Sequence, residues 1–542
     1  MRKYVFISLS LVIFFVCLYC AVNRDSRNTQ DSRYFMLKVP PPVALAPPPT
    51  MNQPEMEMTE TKDEVFFDLP ENSESYKHLV ENVFRGVNKA PLSTFSIDVD
   101  RASYSNMRRF IEMGEQPPAE AIRIEELINY FTYDYPQPPA EDPFSINMEL
   151  ASSPWNKGHQ IVQIGLQGKI LPTENLPPSN LVFLIDVSGS MNSPNKLPLV
   201  KESFNLLIDQ LREEDHVGIV VYAGAAGTVL EPISGSKKTT IGQAIANLEA
   251  GGSTAGGEGL RLAYALAAQH FKVGGNNRVI IATDGDFNVG ESSDEAMEKL
   301  IEQKRKEGVY LTVLGYGMGN YKDSKLEILA DKGNGNYAYI DDISEARKVL
   351  VNEFGGTLFT IAKDVKIQVE FNPAKVVAYR LIGYENRVMQ DQDFNNDKKD
   401  AGELGSGHTV TALYEIIPAD VKSTFYDIDT LKYQSNVKPL SKHSDEIMTV
   451  KLRYKKPSED ASNLTVRTLA GPPAVFAEAS GNFQWACAVA GFGMLLRNSP
   501  NIRGFSFDQV IQVAENAKGD DREGYRTEFI DLVKEYGSLS SR

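Results

Sequence analysis

The run Asn180-Leu181-Val182-Phe183-Leu184-Ile185-Asp186 constrains this chain more than any other segment. Consecutive apolar residues without alternation read as a strand buried on both faces, and such strands belong to parallel sheets covered by helices. The acid that closes the run stands at the strand's carboxyl end, where doubly wound sheets collect ligands. The residues after Asp186 keep to that architecture. Leu199, Phe204, Leu207 and Leu211 recur at helical spacing, apolar strands are predicted over 217–222, 278–283 and 309–314, and a short one over 337–340. Helices are predicted over 257–271 and 294–306. The alternation predicts a doubly wound, mostly parallel α/β layer spanning residues 178–355.

Three loops at strand ends carry its chemistry. The first, Asp186-Val187-Ser188-Gly189-Ser190-Met191, sets an acid and two hydroxyls at alternate positions, which share one side of an extended segment. The second, Gly251-Gly252-Ser253-Thr254-Ala255-Gly256-Gly257, brings Thr254 in a glycine-rich bend; the third, Thr283-Asp284-Gly285-Asp286, brings Asp284. Two carboxylates and three hydroxyls, with no paired His or Cys, suit a hard divalent cation: Mg²⁺ first, with Mn²⁺ and Ca²⁺ as alternatives. Mg²⁺ retains waters, which leaves a position for an acidic group from a partner. Asp186-x-Ser188-x-Ser190, Thr254 and Asp284 together resemble the metal-ion-dependent adhesion site of von Willebrand factor type A domains, over about a third of the chain. The resemblance implies that the serines, and in one state the threonine, touch the cation directly. It further implies that the acids bind directly or through water and that a ligand carboxylate completes the shell.

Around this layer the period returns to two. Ile146, Met148 and Leu150 alternate, as do residues 161–166, Val365 to Phe371, 376–382, 409–416 and 447–454. These β-rich flanks are predicted to join in one discontinuous β-sandwich, with the α/β layer inserted through linkers near Leu176 and Lys363. Helical spacing at Tyr104, Met107, Arg108 and Ile111 and at Ile124, Leu127, Ile128 and Phe131 predicts helices ahead of the first flank, and further helices are predicted over 507–517 and 524–536. The resulting order is an N-terminal segment (1–21), a proline-rich tether (22–74), an N-terminal flank (75–177), the α/β layer, a β-rich region (356–473) and a helical C-terminus (474–542). Phe95 to Asp100, Asp393 to Glu403 and Gly407 to Glu415 resemble the flanking segments of a poorly characterised bacterial family of exported or lipid-anchored type A domain proteins.

Arg2 and Lys3 before the apolar run Tyr4 to Cys20 have the order of an export signal. Seventeen residues is marginal for crossing a bilayer. Lipid attachment at Cys20 or Cys17, an uncleaved anchor and plain secretion all stay open; the first two would anchor the exported chain in the bacterial cell envelope, periplasmic or at the surface, which is the expected location. A net charge of −16, with no basic stripe, argues against nucleic-acid binding, and no nucleotide-binding loop occurs. The expected function is a non-enzymatic envelope module that captures an acidic side chain of a protein partner. The alternatives are a membrane assembly factor working with a separate ATPase and a Mg²⁺-dependent phosphohydrolase with Asp186 as nucleophile.

Lesser candidates are read more blandly. Asp391, Asp393, Asn395 and Asp397 start like a calcium loop but lack its glycine and closing glutamate, which favours a solvated loop. His408 is read as a structural hydrogen-bonding residue and Cys487 as an inert core thiol. Asp98 and Asp100 are read as strand-end acids with a second ion site as the alternative, and Tyr222 and Tyr316 as residues that rim the metal face or pack beneath it.

Overall fold

Every residue of the strand Ser179–Asp186 is buried. In the computed structural model, which describes residues 74–139, 141–172, 176–253, 256–285, 294–319, 321–353, 359–426, 445–457, 459 and 461–540, it is central to a six-stranded sheet. The order across that sheet is Tyr337–Ile340, Val309–Tyr316, Asn276–Thr283, Ser179–Asp186, His216–Tyr222 and Ala226–Ser234, parallel except for the last. The strand's alternate side chains divide between two cores, as burial on both faces requires. Leu181, Phe183 and Ile185 pack with the helices Leu197–Gln210 and Lys238–Ala246. Val182 and Leu184 pack with Gly256–Gln269, Asp294–Lys306 and Asp323–Lys332. Chain order runs outward from Ser179–Asp186 in both directions, so its carboxyl end is the topological switch point. The apolar N-terminal run with Cys17 and Cys20, read as an export signal, the proline-rich stretch up to residue 73, and Thr254 lie outside the described residues.

The flanking strands pair as one sandwich although the α/β layer separates them in sequence. One antiparallel sheet runs Arg85–Gly86, Val376–Ile382, Thr409–Pro418, Gln160–Gly168, Phe144–Ser152; the other runs Val388–Met389, Leu92–Ser96, Thr360–Phe371, Glu446–Lys455, Asn463–Ala470. Their inward side chains, among them Phe95, Ile164, Leu166, Ile367, Val369, Tyr414 and Val450, form a single core. The strand Leu92–Ser96 ends before Asp98 and Asp100, which both pair with Arg387. A helical layer of Ala102–Glu112, Ile124–Asn129, Gly481–Leu496, Phe507–Ala517 and Tyr525–Ser540 builds a further core that includes Ile161 and Leu413 of the first sheet. Gly481–Leu496 is apolar on all sides because it is the buried centre of that layer. Cys487 lies within it, and burial holds its thiol well above the ordinary range, the condition of an unreactive core cysteine. Among the described residues, no helix is long and apolar enough to cross a membrane.

Buried arginines fasten the α/β layer to its surroundings. Arg387 reaches Asp98 at 2.8 Å and Asp100 at 3.0 Å on one side, and Glu327 at 3.2 Å and Asp331 at 2.6 Å on the helix Asp323–Lys332. Arg123 pairs with Glu126 and, at 2.6 Å, with Asp323; Arg108 joins Asp341 at 2.5 Å, Glu345 at 2.8 Å and Glu528 at 3.0 Å. The inserted layer is therefore held by ion pairs on several helices as well as by its two linkers.

Candidate metal centre

The site begins where the central strand stops. Asp186 is its last residue, Ser188 continues in extended conformation, and one 3₁₀ turn over Gly189–Asn192 then bends the chain. Ser188 donates its N–H to Asp186 Oδ1 at 2.9 Å, and the Ser188 and Ser190 hydroxyls lie 3.1 Å apart. Thr283, at the end of the neighbouring parallel strand, donates its hydroxyl to Asp186 Oδ2 at 3.2 Å, and Asp284 follows it directly.

Backbone bonds hold the glycine-rich second loop against the first: Gly189 N–H donates to Gly252 O at 3.0 Å, and Gly251 N–H to Val187 O at 2.8 Å. Gly252 has φ +83°, and a Cβ there would stand 3.2 Å from Gly224 N, so the close approach requires glycine. The structure thus brings together Asp186, Ser188, Ser190 and Asp284, with Gly251 and Gly252 bonded alongside. Asp186, Ser188 and Asp284 are buried and Ser190 is exposed, so the group opens outward at Ser190.

Two buried carboxylates at one place need positive charge. Burial raises the Asp186 carboxyl to about 6, and the neighbouring Asp284 charge adds to that, against the lowering effect of the hydrogen bonds from Ser188. Lys196 supplies one ammonium, donating to Asp284 Oδ2 at 2.8 Å with its own side chain largely buried. Its stem runs over Gly317, where φ is +75° and a Cβ would come within 2.4 Å of Lys196 Cε. An all-oxygen donor set with more carboxylate than ammonium at hand fits a hard divalent cation.

Lys196 had no sequence signal: a lysine just ahead of a helix reads as solvated surface, and only the glycine that admits its stem marks it. We expect Lys196→Met to bind Mg²⁺ about tenfold more tightly in calorimetric titration, since an ammonium that competes for Asp284 is removed. The cation-free variant should melt below the native chain, because Asp284 stays buried without that ammonium.

The other candidates fall elsewhere. Tyr222 and Tyr316 are fully buried: the Tyr222 hydroxyl reaches the Asp186 carboxylate, and Tyr316 packs in one core with Ile185 and Val187. Asp391 accepts from Thr94 Oγ1 at 2.8 Å, whereas Asp397 accepts from Ser462 Oγ at 2.6 Å and pairs with Arg453, so these acids do not converge as a calcium loop would. Asp100 does gather with Glu126 and Glu327, their oxygens within 4.8 Å of one another, but Arg387 and Arg123 already face these acids.

His408 receives a hydrogen bond at Nε2 from Arg101 at 2.9 Å, which fixes a neutral ring, and burial with the charges of Arg101 and Lys348 pushes its pKa down to about 3. A lowered histidine pKa means that the unfolded state takes up the proton first, so stability falls as pH drops from about 6.5 toward 3. His408→Gln should remove roughly 1–3 kcal/mol of that acid sensitivity in urea unfolding at about pH 4 relative to pH 7.

Comparison with known proteins assigns the layer that carries these loops. Residues 180–352 match the von Willebrand factor type A domain, residues 70–163 a segment described as von Willebrand factor, and residues 356–539 the C-terminal region of the uncharacterized protein YfbK. The chain is 44% identical over 467 residues to YfbK of Escherichia coli (strain K12), covering 85% of this chain and 80% of that protein. It is 24% identical over 316 residues to inter-alpha-trypsin inhibitor heavy chain H3 of Homo sapiens, covering 54% and 34% respectively. A solved von Willebrand factor type A structure from Catenulispora acidiphila is 15% identical, spans 73% of this chain and 91% of its own, and has a TM-score of 0.40. The central layer is thus a type A domain, a scaffold for protein–protein interaction or adhesion.

Proposed function

This chain belongs to the YfbK family and carries its von Willebrand factor type A domain, and from that premise we propose that it is a non-catalytic binding module of the bacterial cell envelope. Asp186, Ser188, Ser190, Thr254 and Asp284 would hold a divalent cation, Mg²⁺ by preference, and a Glu or Asp of a protein partner would complete its shell. The observation that carries this reading is the convergence of Asp186, Ser188 and Ser190 with Asp284 at the switch point, closed toward the sheet and exposed at Ser190. When bound, the cation supplies positive charge to an incoming carboxylate in a partly dry interface. The protein's own part is to orient oxygens and to keep Asp186 fixed through Ser188 and Thr283.

Placement in the envelope rests on the charged-then-apolar N-terminal run, with Cys20 or Cys17 as the lipid attachment point. Affinity capture from envelope extracts tests the binding reading. Partners retained with Mg²⁺ should be lost both with chelator and with Asp186→Asn. Partners that ignore both treatments contradict it. Hydrolysis of a generic phosphoester by the native chain, abolished in Asp186→Asn, would replace it with the phosphohydrolase reading.

A further inference from the structure

The type A sheet meets the sandwich at the end opposite the cation loops. Between them lies a cleft of about 260 Å³, bordered by Arg278, Asp331, Asn386 and Glu403. Arg278 comes six residues before Asp284, which places the cleft about 20 Å along the strand from the candidate metal centre.

Arg278 is 2% exposed, yet its partners do not match its charge. Its guanidinium lies 5.6 Å from the centre of the Tyr310 ring, its Nη1 donates to the Thr312 hydroxyl at 2.8 Å, and its Nε has no acceptor among the described residues. No ion pair involves it among the described residues. Buried arginine is ordinarily retained with a carboxylate against it, since an unpaired buried charge costs several kcal/mol. Burial accordingly pushes its pKa down to about 10.

The facing groups are orphaned in the complementary sense. Glu403 Oε1 accepts from Asn334 at 2.9 Å, Asp331 Oδ2 from Arg387 at 2.6 Å, and the Asn386 amide donates to Glu327 at 2.7 Å. Among the described residues the Asn386 carbonyl oxygen lacks a donor, and the second oxygens, Glu403 Oε2 and Asp331 Oδ1, have no closer neighbour than the Thr360 hydroxyl beside Glu403 and the Asp98 carboxyl beside Asp331. Arg278 and these three acceptors therefore border a single cavity, whose wall also carries Arg387 and Lys399, and each group left unsatisfied costs about 1–3 kcal/mol. At roughly 30 Å³ per water the cavity has room for about nine waters, the bulk of a small amino acid or dipeptide.

We propose that this cleft is a binding site for a small zwitterion of the amino-acid or dipeptide class, with the ligand carboxylate on Arg278 and its ammonium received by Glu403, Asp331 and Asn386. Such a ligand would bridge the type A domain and the sandwich, and its binding is separate from cation binding at Asp186.

The test uses the full chain and thermal melting with L-alanine and L-alanyl-L-alanine at about 10 mM, with acetate and methylammonium as single-charge probes. At least one zwitterion should raise the melting temperature while neither single-charge probe does, and calorimetry should show Arg278→Met weakening that zwitterion at least tenfold. The isosteric Glu403→Gln should weaken it as well, which keeps the test intact if Arg278→Met folds poorly. Ligand-free Arg278→Met should melt no lower than the native chain, and its response to Mg²⁺ should be unchanged. Absence of any zwitterion effect, equal stabilisation by acetate, undiminished binding in Arg278→Met, or a ligand-free drop of several degrees in that variant would each overturn the proposal.

Discussion

Arg387→Met should lower stability by roughly 3–5 kcal/mol. The guanidinium answers four carboxylates at once, two beside the sandwich and two on the type A helix Asp323–Lys332. Methionine fills much of the same volume, so the loss reports on charge left behind rather than on a cavity. Burial already holds Asp100 well above the ordinary carboxylate range and Asp331 at about 7, both with neighbouring acids adding to the shift. Removing Arg387 drives both further up. A carboxyl with a raised native pKa binds its proton more readily in the folded chain, so stability falls as pH rises through that pKa. The deficit of Arg387→Met should therefore be largest near pH 8 and shrink toward pH 5, measured as urea midpoints across that range. A deficit that grows on acidification would show that the four acids do not act as a unit.

Mg²⁺ should stabilise the native chain, and Asp186→Asn should abolish that effect. At a free cation concentration a hundredfold above its dissociation constant, that stabilisation is about 2.7 kcal/mol, several degrees of melting temperature. Asparagine can still accept from Ser188 through its amide oxygen, with its NH2 turned to donate to the Thr283 hydroxyl, and it removes a negative charge that burial and Asp284 oppose. The cation-free variant should thus be at least as stable as the native chain near pH 7.5. Calorimetric melting of both proteins with Mg²⁺ and with chelator separates this outcome from misfolding, in which the variant would melt early under both conditions.

The type A layer is legible in sequence because its signals are local and strong. A strand buried on both faces has to be apolar throughout, and an acid with two alternate serines has to follow the strand end if all three are to face one point. The sandwich is legible from period two, although neither half reveals its partner strands; Thr409–Pro418 finds Gln160–Gly168 only in the folded chain.

Elements with weak patterning escape such reading. Ala226–Ser234 is a half-exposed edge strand interrupted by Gly227 and Pro232, and its residues never alternate cleanly. Lys238–Ala246 buries only Ile241 and Ile245, and Asp323–Lys332 buries Asp323 and Glu327 on the side that meets arginines, where a helix would ordinarily bury apolar groups.

The charged interior is the larger omission. Arg108, Arg123 and Arg387 meet acids remote from them in the chain, and no spacing rule announces a pair whose members belong to different layers. Lys196 and Arg278 escape for the same reason. Each is a single basic residue whose role follows from burial, and burial is a property of the packed chain.

Anomalous scattering from crystals grown with Mn²⁺ would locate the cation itself. A peak is expected within roughly 2.0–2.3 Å of both the Ser188 and Ser190 hydroxyl oxygens, with Asp186 and Asp284 in or just behind the shell. No peak at that pair of serines, or a peak at Asp100, Glu126 and Glu327 instead, would contradict a metal centre at the switch point.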